Sequence, residues 1–320
     1  MNISVAMCTF NGARHLTEQL ESIAAQSRLP EELVVCDDQS ADATVNIVRQ
    51  FAARAPFEVQ LCQNDGRLGA AANFAKAIGL CRGRLILLAD QDDVWLPEKV
   101  HRIDCALSET PAAAFAMSDA ALVDPERRPL RCRLWKMLRF SPRLQRQASR
   151  GRAFDVLLRR NVVTGATLAF RAEYRELLLP IPPGWVHDAW IGLLLSAVAR
   201  CALIPQPLIE YRQHASQQIG ENRSSFYQQY LRGRRQTGPV LETIADNYAA
   251  AQKRLMQFQD RLPDAAVLAA LQAKVDHYRA KVSMRRASAC RLPIIARELL
   301  RRHYSRYSQG WRSLAQDLFL

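Results

Sequence analysis

The sequence has no apolar run long enough to cross a membrane. Its longest late stretch, Gly192 to Ala199, lies between Asp188 and Arg200, far short of the ~20 residues a spanning helix needs. The opening residues, Met1 to Met7, lack the basic start and long apolar core of a secretion signal, so the chain is expected to stay in the cytoplasm. Cysteine is present but never clustered. The eight cysteines, at 8, 36, 62, 81, 105, 132, 201 and 290, include no C-x-x-C pair and no matching histidine spacing, which argues against zinc and disulfide frameworks and suits a reducing compartment. No G-x-G-x-x-G follows an expected strand, which argues against a dehydrogenase. Phe10-Asn11-Gly12-Ala13, after the first strand, is too poor in glycine for the phosphate loop of a sugar-phosphate nucleotidylyltransferase, an alternative that would otherwise share an α/β sheet and a metal.

Acidic residues are the scarcer charge: 31 Asp and Glu face 44 Lys and Arg, for a net charge of +13 and a pI near 9.7. The imbalance sits at one end. From Glu221 on there are 18 basic against 8 acidic residues, which leaves 26 against 23 before it. Two parts follow, a nearly neutral domain over 1–220 and a basic helical extension over 221–320. The basic extension raises two possibilities, a non-enzymatic nucleic-acid-binding protein and docking to an anionic membrane surface. No nucleic-acid-reading module accompanies the charge, so charge is the only support for nucleic acid.

What the front contains is a stretch of opposites, Leu85-Ile86-Leu87-Leu88-Ala89 running straight into Asp90-Gln91-Asp92-Asp93. The five apolar residues read as a buried parallel strand. The acids then fall just past its carboxyl end, where open α/β sheets bind ligands. Carboxylates this close repel, and a divalent cation such as Mg²⁺ or Mn²⁺ relieves that repulsion. Three strand-helix units precede it: Ile3 to Thr9 with Phe10-Asn11-Gly12, Leu33 to Cys36 with Asp37-Asp38-Gln39-Ser40, and Val59 to Cys62 with Asn64 to Gly69. Four such units predict an α/β, doubly wound, mostly parallel sheet whose loops bring Asn11, Asp37, Asp38 and Arg67 towards the fourth strand's acids.

Further on, Ala114 to Ser118 reads as a strand ending at Asp119, and the arginine-rich stretch from Arg127 to Arg160 reads as irregular. It reads as a solvated loop, or else as a lid over an anionic substrate or a contact with acidic lipid. Val162 to Phe170 reads as a strand broken at Gly165, a place for close approach of a ligand. Asp188 stands near the amino end of an apolar helix, where the dipole favours its charged form. Two short strands follow, Cys201 to Pro205 and Leu208 to Tyr211, and then the loop carrying Gln213-His214.

These motifs, in this order over about 215 residues, resemble a family-2 glycosyltransferase of the GT-A type: Val5-Ala6-Met7-Cys8-Thr9-Phe10-Asn11-Gly12, Asp37-Asp38-Gln39-Ser40, Asn64-Asp65-Gly66-Arg67-Leu68-Gly69 with Asn73, Asp90 to Trp95, His187-Asp188 and Gln213-His214. The subgroup most resembled includes bacterial rhamnosyltransferases of surface polysaccharide. The resemblance implies an inverting transfer of a sugar from a nucleotide-diphosphate donor to a saccharide or lipid-linked acceptor, with rhamnose on thymidine diphosphate the favoured donor. It implies that Thr9, Asn11, Asp38, Arg67, Asn73, Asp90 and Gln91 bind the nucleotide-sugar, and that Asp92 and His214 hold the metal. Asp188 becomes the general base, with Asp93 and His187 in support. Many relatives carry Glu-Asp where this chain has His187-Asp188, so the base assignment rests on Asp188 alone.

Overall fold

The computed structural model describes residues 2–213, 238–286 and 291–319. The chain divides into two compact units, Met1–Ala153 with Val162–Gly220, and Phe154–Asn161 with Glu221–Leu320.

The first unit begins β1 (Ile3–Thr9), α1 (Ala13–Ala24), β2 (Glu32–Asp37), α2 (Thr44–Ala52), β3 (Glu58–Gln63), α3 (Ala70–Leu80) and β4 (Leu85–Ala89). These strands pair in parallel, in the order β3-β2-β1-β4. Every residue of β2 and β4 is buried, as expected of parallel strands covered on both faces. β3 is the outer strand and is only partly covered, and it alternates polar with apolar residues as an edge requires. The helices press Leu16, Leu20, Ile23, Val48 and Phe51 against the sheet.

The sheet then becomes mixed. The chain continues through β5 (Val94–Trp95), α4 (Lys99–Glu109), β6 (Ala113–Val123), β7 (Pro129–Arg133), α5 (Leu134–Met137), α6 (Pro142–Gln147), α7 (Ala153–Arg159), β8 (Leu168–Arg171), α8 (Arg175–Leu178), α9 (His187–Val198) and β9 (Arg200–Arg212). Strand β8 pairs antiparallel with β4 and β6, while β9 lies parallel to β6. β5 and β7 pair antiparallel with β9 and β6. Hence β1, β2, β3, β4, β6 and β9 all point one way, and their carboxyl ends share one edge.

Four expectations need correction. Val162 to Phe170 is not one strand: Gly165–Thr167 forms a single 3-10 turn and β8 covers only Leu168–Arg171. Strand β6 does not stop at Asp119 but runs on to Val123. The two short strands expected after residue 200 are one, β9, which passes Pro205 and Pro207 by a bulge: its partners step from Ser118↔Ile204 to Asp119↔Pro207. A bulge is where a sheet tolerates the missing N–H of proline. The arginine-rich stretch is ordered rather than irregular, with β7 on the sheet and the N–H of Trp135 donating to Asp119 Oδ1 at 2.9 Å.

The second unit is helical: α10 (Gly238–Met256), α11 (Ala266–Arg286), α12 (Arg291–Leu300), α13 (His303–Tyr307) and α14 (Trp311–Leu318). α10 packs on α11 through Leu241, Ala245, Leu255, Leu271 and Val275. Lys274 is buried with Nζ 3.8 Å from the Tyr248 ring centre, and it donates to the Leu158 carbonyl. Among the described residues no helix is long and apolar enough to cross a membrane.

Candidate active site

The carboxyl edge is stitched together by its own loops. Thr9, the last residue of β1, donates its hydroxyl to Asp37 Oδ2 at 2.8 Å. Asp37 also accepts the N–H (2.9 Å) and hydroxyl (2.6 Å) of Ser40, which fixes the turn after β2. Asn11 adopts a positive φ of 46°, a region Asn tolerates better than most residues. Its N–H donates to Ser40 Oγ and its Oδ1 accepts from the Ala41 N–H, both at 2.8 Å. Gln91 Oε1 accepts from the Phe10 N–H (2.9 Å) while its Nε2 donates to the Phe10 carbonyl (3.1 Å). Gln91 therefore braces the loop after β1. Gly12 leaves room for this brace, since a Cβ there would stand 2.2 Å from Gln91 Oε1 and the amide would have to shift.

Asp38 sits in a nest of donors. Its oxygens accept from the N–H groups of Leu68 (2.7 Å) and Gly69 (2.8 Å) and from Asn64 Nδ2 (3.0 Å). Burial opposes its charge, but those donors and the nearby Arg67 hold the carboxyl below its ordinary range. Asn73 stands behind this nest: its Oδ1 accepts from Asn64 Nδ2 (2.9 Å) and its Nδ2 donates to the Cys36 carbonyl (2.8 Å). Arg67 lies over the Phe10 ring, 3.8 Å from its centre, and leaves a planar cation at the cavity wall.

Beyond β4 the acids separate. Asp90 and Asp92 face the cavity. Burial, then the charges of Asp92 and Asp188, pushes the Asp90 carboxyl up to about 7 against the pull of Lys99. Asp93 turns into the protein and is fully buried. Its Oδ1 accepts the Arg212 N–H at 3.1 Å, and burial followed by Asp92 and Asp90 raises its carboxyl well above the usual range. Lys99 lies below the acids, donating to the Ala166 carbonyl at 2.6 Å with Nζ 3.6 Å from the Trp95 ring centre. Burial draws its ammonium down to about 7, although Asp93 and Asp90 act the other way. Arg212 locks the turn by donating to the Asp92 carbonyl (2.7 Å) and to Glu18 Oε2 (2.9 Å).

α9 presents Asp188 in its first turn. Asp188 is buried, and its Oδ2 accepts the Gly165 N–H at 3.3 Å. His187 stacks on Phe74, ring centres 3.9 Å apart, and neither ring nitrogen has a hydrogen-bond partner. Burial lowers its imidazole to about 3, so this ring is neutral at physiological pH. Gly165, where close approach of a ligand is expected, lines the cavity and lies against His187 as well: a Cβ there would lie 2.6 Å from Nε2.

All these loops border one cavity of about 890 Å³. Thr9, Asn11, Asp38, Arg67, Asn73, Asp90, Gln91, Asp92, His187 and Asp188 all line it. Asp93 does not; it supports from behind. His214 lies outside the described residues. Tyr211, at the carboxyl end of β9, and Thr164 also line the cavity and were not anticipated. The Thr164 hydroxyl is buried without a partner, and burial, then the acids led by Asp93, raises the Tyr211 phenol. Tyr211 stands at a strand's carboxyl end, the same signal that marked Thr9 and Asp90.

Residues 4–156 match the family model described as glycosyl transferase family 2. Over these residues the chain resembles glycosyl transferase family 2. Among the curated relatives is the dTDP-rhamnosyl transferase RfbG of Shigella flexneri, 34% identical over 104 residues, which are 31% of this chain and 36% of the relative. The chain spans only 59% of the length of the first curated relatives it matches, mycobacterial proteins 25% identical over 223 residues. The fold is that of the S. aureus TarS 1–349 structure with UDP-GlcNAc (TM-score 0.57, 16% identity, 99% of this chain and 89% of that one). It is also that of the mannosyltransferase PcManGT of Pyrobaculum calidifontis in complex with GDP-Man and Mn²⁺ (TM-score 0.52, 18% identity, 99% and 85%).

The donor set suits a hard divalent cation. The carboxylates of Asp92 and Asp90 border the cavity, and the charge that Asp92 and Asp188 impose on Asp90 is the repulsion such an ion would relieve.

Proposed function

We propose that this chain is an inverting glycosyltransferase that moves a sugar from a nucleotide-diphosphate donor to a saccharide or lipid-linked acceptor in cell-surface polysaccharide synthesis. The observation that carries the reading is the meeting of Asp38, Arg67, Asp90 with Asp92, and Asp188, from four separate segments of the chain, on one cavity of about 890 Å³, a size that suits a bound small molecule. The likeness to the Shigella rhamnosyl transferase over 104 residues favours rhamnose carried on thymidine diphosphate. The place of work is the cytoplasm, at the inner face of the cell membrane where a lipid-linked acceptor lies.

In this reading Asp38, fixed as a carboxylate by three donors, takes hydrogen bonds from the base, and Arg67 faces base or phosphate. Thr9, Asn11 and Gln91 shape the pocket's floor, with Asn73 holding the Asp38 nest. Mg²⁺ or Mn²⁺, held by Asp92 with Asp90 beside it and His214 as a further ligand, supplies neutralising charge for the diphosphate when bound. Asp188 accepts the proton of the acceptor hydroxyl while that oxygen bonds to the anomeric carbon. The bond to the diphosphate breaks on the opposite face, and the diphosphate leaves with the electron pair.

An acceptor alcohol does not ionise near pH 7, so the base contributes about 10²- to 10⁴-fold. Asp188→Asn is expected to keep donor affinity and lose turnover by that factor, measured by single-turnover transfer beside donor titration. Unchanged turnover removes Asp188 as the base.

A further inference from the structure

The last helices of the second unit are amphipathic in the reverse sense. In α12 the buried residues are Ile295 and Glu298, whereas Leu292 and Leu300 are 69% and 86% exposed. In α14 the buried residues are Ser313 and Asp317, whereas Trp311 is 64% exposed and Phe319, just past the helix, 72%. Seven residues along a helix return to within about 20° of the same direction. Leu292 and Leu299 therefore form one outward stripe, and Trp311 and Leu318 another, all four exposed.

The inward faces explain the orientation. Glu298 Oε2 meets the Nδ1 atoms of His277 (2.7 Å) and His303 (2.8 Å). Asp317 accepts from Lys281 Nζ (2.6 Å), Arg285 (3.0 Å) and the Tyr304 hydroxyl (3.0 Å). His277, Lys281 and Arg285 follow one another at four-residue steps on α11, so they share one face of it. Both carboxylates address that face, and the two apolar stripes turn away from it together. Single exposed leucines need no account. Two packed helices that hold their acids inside and their leucines, tryptophan and phenylalanine outside do need one.

The charge completes the picture. Between Arg291 and Phe319 the only acids are Glu298 and Asp317, both buried, while Arg297, Arg301, Arg302 and Arg306 are exposed. We propose that α12 and α14 form a docking surface for an anionic lipid bilayer, with the apolar stripes entering the boundary between headgroups and acyl chains and the arginines meeting lipid phosphates. A second copy of the chain would bring the same positive charge to the contact. A nucleic acid would match the charge and leave the apolar stripes wet.

The surface gives the proposed transferase its membrane contact but does not depend on sugar transfer, so its test omits donor and acceptor. The full chain is sedimented with vesicles of phosphatidylglycerol and phosphatidylethanolamine, and separately with phosphatidylcholine alone. Binding at least about tenfold tighter to the anionic vesicles is expected, weakening in high salt. Leu300→Ser with Trp311→Ser should cut it about tenfold, and Arg301→Glu with Arg302→Glu should do so without touching an apolar side chain. Circular dichroism should match the parent in both variants. The proposal is overturned by absent vesicle binding, by variants that bind as the parent does, by equal affinity for duplex DNA, or by light scattering that shows a dimer lost in the Leu300 and Trp311 variant. A chain that binds nucleotide-sugar yet fails on vesicles sinks this surface and leaves the transferase reading standing.

Discussion

Gly165→Ala tests whether the wall of the cavity is packed as tightly as its geometry implies. The new methyl would stand 2.6 Å from His187 Nε2, and ordinary contacts begin near 3.4 Å. The ring must therefore retreat by about 0.8 Å, the difference between those two distances. It is buried and stacked on the buried Phe74 at 3.9 Å, so its retreat is resisted. Overpacking of this kind costs about 1–3 kcal/mol. Removing a glycine at an ordinary φ returns about 0.4–1 kcal/mol through the unfolded chain, which leaves a net loss of roughly 1–2 kcal/mol in urea unfolding. The Gly165 N–H is also a donor to Asp188, so transfer should fall about tenfold or more as the carboxylate shifts. The decisive comparison is a double-mutant cycle: with His187→Ala already made, adding Gly165→Ala should cost nothing or restore stability, because the methyl fills vacated space. An equal cost in both backgrounds would refute the contact.

Gln91→Ala removes both hydrogen bonds to the Phe10 backbone and is expected to cost about 1–3 kcal/mol while weakening donor binding severalfold; unaltered stability would make Gln91 a donor contact instead of a brace. In the second unit, burial works against the Glu298 charge, but His277 and His303 hold its carboxyl down at about 2 from an ordinary 4.5. A carboxyl lowered by folding stabilises fully above the unfolded value and loses that contribution as pH falls towards the folded one. Between pH 6 and pH 3 the parent should therefore lose about 2 kcal/mol more than Glu298→Gln in denaturant unfolding, and parallel curves would contradict the pairing.

Much of the sheet was legible because β1, β2 and β4 are apolar runs closed by polar turns, and burial on both faces leaves such runs little alternative, while β3 shows the polar-apolar alternation of a partly covered edge. The acids were legible for the same reason: Asp38, Asp90 and Asp92 each stand just past a strand's carboxyl end. What escaped depends on pairings distant in sequence. The proline-broken pattern after residue 200 hides a single strand, because the bulge that accommodates Pro205 and Pro207 is defined by β6, more than eighty residues earlier. Tyr211 was legible as a strand end, but its place at the cavity follows from the direction of β9, which its pairing with β6 sets. Gly165 signalled a close approach: it lines the cavity, and His187, from a different element, packs against it, which the sequence does not show. Lys99 reads as an ordinary residue at a helix start and proves to be buried below the acids, a position only the folded chain creates.

The central claim is that the acids after β4 hold a divalent cation that in turn holds a nucleotide-sugar. The most direct measurement is the melting temperature of the parent chain and Asp92→Ala with dTDP-rhamnose and related nucleotide-sugars, with and without Mn²⁺. A ligand specific to the folded state raises apparent stability by mass action, so the account predicts a stabilisation by a particular donor that requires Mn²⁺ and vanishes in Asp92→Ala. Donor stabilisation that is indifferent to metal, or that survives in Asp92→Ala, would contradict it.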